Sequence, residues 1–397
     1  MRKVLKYGGS SVATIEQIIN IAKYVKELSE NGEQIVVVAS AMGKTTNKLI
    51  SLAKEVNHYP NKRELDALLS TGEIQTVTLI TMALLNLGVK AKSFTGFQSG
   101  FITDDNHSKA FIKELNTEKI EEALNNNIVC VVAGFQGITE NGDITTLGRG
   151  GSDTTAVAIA SKLKCDCEIY TDVESVYTID PRLYSLAKKL HKISYEEMME
   201  MAIGGAKVLE TRCVELAKKY NVNLYLGKTL EKDKTKGTYV MNKNDFEQMP
   251  VTNISVKEDI SMITINLEKK NENLINEIFK IIEKQNINLD MISKNCINNN
   301  VIFSFSSSKE QSEEFVNYIK LNQPSINVSL NDNLCKIVVV GVGMATHSGI
   351  ASKVFNTLSL NNINYENITT SEISITFTTS FENKQIAIEV LAKEFDL

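Results

Sequence analysis

Lys3-Val-Leu-Lys-Tyr-Gly-Gly-Ser10 starts as a short, largely apolar run and stops in two glycines and a serine. Such a run reads as a buried strand, and the glycines after it let the backbone turn tightly beyond the sheet. The arrangement recurs: Ile35–Ala39 runs into Ser40-Ala-Met-Gly43, Ile128–Ala133 into Gly134-Phe-Gln-Gly137, and Cys167–Thr171 into Asp172. Helical patterns separate these runs over roughly the first 230 residues, so a largely parallel α/β sheet is expected. In open sheets of this kind ligands bind beyond the carboxyl ends of the strands. Four such endings with sparse polar groups predict one composite site.

At 397 residues the chain should hold two or three domains, and 43% hydrophobic content is enough for full cores. The net charge is −5, with Lys and Arg spread along the chain, which argues against nucleic acid or an anionic membrane as partner. The start has no signal-peptide core, and no apolar run reads as a membrane span, so a cytoplasmic location is expected. The six cysteines form no Cys-x-x-Cys pair and read as scattered reduced thiols; no metal-ligand cluster stands out.

After a polar connector, Glu231-Lys-Asp-Lys-Thr-Lys-Gly237, and an amphiphilic run to Pro250, the composition shifts toward Asn, Ser and Ile. An internal repeat then appears: Phe279–Ser293 matches Phe355–Thr369 at an offset of 76. Apolar strands flank each copy, Met262–Asn266 and Val301–Phe305 around the first, Val338–Val342 and Ser374–Thr379 around the second. Two small strand-helix-strand modules in tandem are expected. The runs Asn125–Asn127 and Asn298–Asn300 read as turns.

Thr146-Leu-Gly-Arg-Gly-Gly-Ser-Asp-Thr-Thr-Ala156 is the strongest chemical motif. It precedes Thr154–Leu163, a helix of small apolar residues expected to be buried, with Asp153 available as its N-cap. Arg149 between glycines at the mouth of a buried helix calls for an anionic partner, and a bidentate carboxylate contact suits its planar fork. Glu73 falls on the apolar stripe of a helical stretch at Glu64–Leu87, so its carboxylate needs a cationic or hydrogen-bonding partner. Lys6 beside Gly8-Gly9 could meet a phosphate, although the spacing is not that of a Walker A loop. Tyr170-Thr-Asp-Val-Glu-Ser-Val-Tyr-Thr-Ile-Asp-Pro-Arg182 reads as a loop rich in donors and acceptors, Lys207 as a solvated lysine opening an amphipathic helix, and His107 as structural.

Taken together, these segments resemble the aspartate kinase family over essentially the whole chain. Further matching pieces are Ser40-Ala-Met-Gly-Lys-Thr-Thr-Asn47, Gly72-Glu73, Phe97-Gln-Ser-Gly-Phe-Ile-Thr-Asp104 and Gly205-Ala-Lys-Val-Leu209. The resemblance implies a three-layer αβα amino-acid-kinase domain with a mostly parallel sheet, followed by two α+β, ferredoxin-like ACT domains. The boundaries expected are 1–245, 253–330 and 334–397. The resemblance places Lys6, Tyr7, Gly8, Gly9, Ser40, Thr171, Asp172, Tyr177, Arg182 and Lys207 around ATP. It places Thr46, Glu73, Arg149 and Asp153 around L-aspartate, with Arg149 on the α-carboxylate and Glu73 on the α-ammonium. Lys6, Asp153 and Lys207 are its catalytic set, and Mg²⁺ comes with ATP. Glu210-Thr211 departs from the family's usual His-Pro and is expected to alter packing more than chemistry.

An aspartate side chain, with a reference pKa near 3.9, is already a nucleophile at neutral pH, which explains why no activated base is visible. Another amino-acid kinase, or a catalytically silent sensor of the same fold, are the competing readings. For regulation the resemblance implies L-lysine or L-threonine as effectors, an ACT-mediated homodimer, and allosteric roles for Asp290, Met344, Ser371 and Glu372. The first module departs from the family at Leu267-Glu-Lys-Lys-Asn-Glu-Asn273, where a Gly- and Pro-containing turn is usual.

Overall fold

The computed structural model describes residues 1–242, 249–268, 273–297, 300–345 and 347–397. It divides into two compact units. The first comprises Met1–Tyr177, Lys189–Ala202 and the residues from Lys207 to 242; the second comprises Thr178–Lys188, Ile203–Ala206 and the described residues beyond 248.

Up to residue 242 the chain runs β1 (Arg2–Tyr7), α1 (Ile15–Glu30), β2 (Gln34–Ala39), α2 (Thr45–Val56), α3 (Lys62–Asn86), β3 (Ala91–Phe94), β4 (Phe101–Thr103) and β5 (Ile112–Leu115). It continues with α4 (Glu118–Asn125), β6 (Val129–Ala133), β7 (Gln136–Thr139), β8 (Ile144–Thr146), α5 (Gly151–Leu163), β9 (Cys167–Thr171), β10 (Val176–Tyr177), β11 (Lys189–Leu190) and β12 (Lys192–Ile193). Then come α6 (Tyr195–Ile203), α7 (Thr211–Tyr220), β13 (Leu224–Lys228) and β14 (Thr238–Val240). Eight strands form one sheet in the order β12-β14-β13-β9-β1-β2-β6-β3, parallel except where β13 meets β14. The four strands expected from the sequence are its centre.

Side chains alternate across a strand, and the sheet uses both faces. Leu5, Tyr7, Val37 and Val131 pack with Ile18 and Ile21 of α1 and Val77 and Ile80 of α3. Lys6 points the other way, toward α5. A capping box starts α1: the Thr14 hydroxyl accepts from the Gln17 N–H, and the Gln17 side chain accepts from the Thr14 N–H. One expectation is corrected here. Among the described residues α3 is long and apolar enough, by length and composition, to cross a membrane. It is instead a core helix: half of that stretch is buried, and α3 carries the buried carboxylates Asp66 and Glu73.

From residue 253 the chain runs β15 (Asn253–Lys257), β16 (Ser261–Glu268), α8 (Leu274–Lys284), β17 (Ile292–Ile297), β18 (Asn300–Ser307), α9 (Lys309–Asn322) and β19 (Asn327–Asn331). It ends with β20 (Leu334–Val340), α10 (Ile350–Leu360), β21 (Glu366–Thr370), β22 (Ser374–Ser380) and α11 (Lys384–Glu394). Two antiparallel sheets result, β17-β18-β16-β19 covered by α8 and α9, and β15-β20-β22-β21 covered by α10 and α11. The repeat therefore corresponds to α8 with β17 and α10 with β21.

The domain boundaries need two corrections. Strand β15, expected to open the first module, pairs with β20 of the second, because Ile254 joins the core of Ile337 and Val339. Segment Thr178–Lys188, expected in the kinase domain, belongs to the second unit: Ile179 is buried in that same core, and the Ile254 N–H donates to the Thr178 carbonyl at 2.9 Å. Residues 269–272 of the first module's atypical loop, with Asn298 and Asn299, lie outside the described residues.

Candidate active site

The strand ends of the first unit do converge. The Gly8 N–H donates to the Tyr170 carbonyl at 3.1 Å, the Ser40 N–H to Tyr7 at 3.2 Å, the Gly43 N–H to Gly9 at 2.9 Å and the Gly134 N–H to Ala39 at 3.1 Å. Lys6 Nζ lies 2.6 Å from Asp153 Oδ1, and both residues are buried. This corrects the expected N-cap. Gly150 occupies that position, and Asp153, inside the first turn of α5, spends its carboxylate on Lys6. A negative charge there also suits the helix dipole.

Glu73 is 3% exposed; its Oε1 accepts from the Ala41 N–H at 3.1 Å, and its Oε2 has no hydrogen-bond partner. Burial pushes its carboxyl up to about 7, against the lowering effect of the Ala41 bond. The loop comes this close because residue 72 is glycine: a Cβ there would stand 2.9 Å from the Ala41 Cβ. Thr46 lies in the first turn of α2, half-buried.

Arg149 is exposed, and its side chain has no hydrogen bond or ion pair among the described residues. Contrary to expectation the loop therefore presents an exposed, uncommitted guanidinium rather than a buried one. Gly148 and Gly150 flank it with φ of +79° and +65°, a region L side chains disfavour. Lys207 does not open a helix as expected; it is exposed in the loop between α6 and α7. Glu210 is the N-cap residue of α7, and its side chain lies against Gly150. Thr171 donates its hydroxyl to Asp172 at 2.8 Å, and Tyr177 ends β10. Arg182 lies in the second unit, where it forks onto Asp180 with contacts of 3.0 and 2.6 Å.

Two residues escaped the sequence reading. Asp66 is fully buried and accepts from the Ser108 N–H (2.8 Å) and hydroxyl (3.3 Å) and from the Thr146 N–H (3.0 Å) and hydroxyl (2.7 Å), with His107 Nδ1 at 3.2 Å. Its spacing, seven residues before Glu73, was the available signal, since it puts both carboxylates on one helix face. Arg212 gave no such signal.

In the second unit, Asp290 Oδ2 lies 2.6 Å from Lys336 Nζ and 3.3 Å from Lys257 Nζ. Burial raises the Asp290 carboxyl, but the two ammonium groups outweigh it and hold it below its ordinary value. Met344 packs beside the core under β20, the Ser371 hydroxyl bonds to that of Ser374 at 2.8 Å, and Glu372 is exposed.

The strand ends thus gather a glycine turn and a buried lysine–carboxylate pair at one edge of the sheet. The profile of the amino acid kinase family matches residues 1–228, and that of an ACT domain matches 337–395. The first unit thus defines the class, an amino acid kinase.

The chain is 41% identical to an aspartokinase from Bacillus sp. (strain MGA3), over 99% of its own length and 97% of that protein. An aspartate kinase from Pseudomonas putida is likewise 41% identical, again over 99% and 97%. The fold matches that of E. coli aspartokinase III, solved in complex with aspartate and ADP, with a TM-score of 0.82 over 100% of both chains at 23% identity. The chain belongs to the aspartokinase family.

Proposed function

We propose that this chain is a cytoplasmic aspartate kinase, transferring the γ-phosphoryl group of MgATP to the side-chain carboxylate of L-aspartate. The products are 4-phospho-L-aspartate and ADP, the entry to lysine, threonine and methionine synthesis. The observation that carries the reading is Glu73, a buried carboxylate with one oxygen held by Ala41 and the other unpartnered. That oxygen suits an α-ammonium, whose charge would offset the desolvation that now raises the carboxyl.

In this reading Arg149 holds the α-carboxylate with its planar fork, and Thr46 and Asp153 complete the pocket. The backbone at Gly8-Gly9 approaches the nucleotide phosphates, with Ser40, Thr171, Asp172 and Tyr177 as further nucleotide contacts. Two anions must meet in line, so the work is positioning and charge neutralisation rather than base catalysis. Lys6 and Lys207 supply positive charge, Asp153 holds the Lys6 ammonium in place, and Mg²⁺ arrives with the nucleotide as part of the substrate. The second unit senses lysine, threonine or both through Asp290, Met344, Ser371 and Glu372, and its ACT modules form a homodimer.

Incubation with MgATP and L-aspartate should produce a hydroxylamine-trappable acyl phosphate with matching ADP release. Turnover with glutamate or UMP but none with aspartate would mean a different amino acid kinase, and no ADP release with any acceptor a silent sensor.

A further inference from the structure

Among the described residues Arg149 has no partner for its side chain, so the backbone of the loop that carries it fixes the point and direction from which the side chain extends. That backbone is held from two sides. On one, Asp66 of α3 gathers the N–H and hydroxyl of Thr146, three residues before Arg149, together with the N–H and hydroxyl of Ser108. On the other, Arg212 of α7 donates from Nη1 to the Ala110 carbonyl at 3.0 Å and to the Leu147 carbonyl at 3.1 Å. The guanidinium also stacks on the Phe111 ring, 4.7 Å from its centroid. The two clamps meet across the Ala110 N–H, which donates to the Thr146 carbonyl at 2.9 Å.

A carboxylate with no exposed surface is an expensive way to pack a helix, since an apolar residue of similar volume avoids its desolvation. What the charge provides is direction: several charge-assisted bonds at fixed angles on two neighbouring segments. Gly148 and Gly150, with their positive φ, then carry the chain out of the clamp and back into α5.

We propose that Asp66 and Arg212 are positioning residues, which set the Leu147–Gly150 backbone and thereby aim Arg149 at the α-carboxylate of the substrate. This rests on the assignment of Arg149 made above. Neither residue touches the substrate; both act on KM for aspartate through Arg149.

The test uses the full-length protein. Asp66→Asn keeps the shape but turns an amide N–H₂ toward donors, and Arg212→Met keeps the apolar length but loses both carbonyl contacts. Each should raise KM for aspartate about tenfold or more while leaving KM for MgATP within about twofold. In an Arg149→Lys background either change should add little, because the group it aims has already lost its fork. Equal rises in both KM values, a lower thermal midpoint with unchanged kinetics, or full additivity with Arg149→Lys overturn the proposal. Should Asp66→Asn fail to fold, Thr146→Val, which removes one hydroxyl donor to Asp66, is read beside Arg212→Met by the same criteria. An unchanged KM for aspartate in Arg149→Lys alone defeats the assignment of Arg149, and this proposal with it. A raised KM there, with none in the positioning variants, defeats the proposal only.

Discussion

Glu73 shows how much one buried oxygen can report. Its carboxyl sits at about 7 in the folded chain against an ordinary value of 4.5, with burial as the main cause. A raised carboxyl contributes its stability in full below the unfolded value, and that contribution is lost as pH rises through the folded value. The ligand-free protein should therefore become less stable between about pH 4.5 and 7, by about 3 kcal/mol at most. Glu73→Gln removes the dependence. Its melting temperature should match that of the native chain near pH 4 and exceed it at pH 8, while KM for aspartate rises. Thermal melts of both proteins across that range test this, and parallel pH profiles would contradict it.

At the scale of elements, α3 does several jobs at once. Its apolar side packs on the sheet, Glu73 and Asp66 face inward at different heights, and Gly72 lets the Ala41 loop close over the helix. Replacing an interior helical glycine by alanine would ordinarily stabilise a helix by about 1 kcal/mol. Here the added Cβ would stand 2.9 Å from that of Ala41, whose N–H holds Glu73. Gly72→Ala should therefore lose aspartate turnover by roughly tenfold or more with little loss of helix content, because a small displacement of an orienting bond is amplified in the rate. Circular dichroism beside steady-state kinetics tests this; unchanged kinetics would show that the loop can yield freely.

For the molecule as a whole, the regulatory reading bears on the second unit. Lys336 is 2% exposed and shares the Asp290 carboxylate with Lys257, which ties β20 and β15 to the first module's helix-strand loop. Removing Asp290 takes charge compensation from the buried Lys336 ammonium, a loss reduced by the exposure of Asp290 itself. Asp290→Ala should therefore lower the melting temperature of the protein. It should also weaken inhibition by lysine and threonine, whose coupling to the kinase is expected at about 1–3 kcal/mol, while turnover without effector survives. Activity titrations with both amino acids decide the matter. If saturating lysine and threonine together leave the native rate untouched, the second unit reads another ligand or is structural.

Local chemistry was enough for the four central strands, the repeat and the motifs at the strand ends. Each is a pattern of apolar period, glycine and cap residues within one short stretch of chain. Lys6, Glu73 and Arg149 were legible for the same reason, as charged groups where an apolar or glycine pattern makes charge conspicuous. Tertiary structure alone decided what those charges meet. Asp153 became the partner of Lys6 rather than a cap, Arg149 proved exposed, and Lys207 fell in a loop. Strand β15 joined the second module's sheet, and Thr178–Lys188 left the kinase unit for the core of the other. Asp66 and Arg212 stayed hidden because their partners lie 41 to 102 residues away along the chain. Hydrogen bonds between such distant segments exist only after the strands have been brought side by side, and no local pattern of residues encodes them.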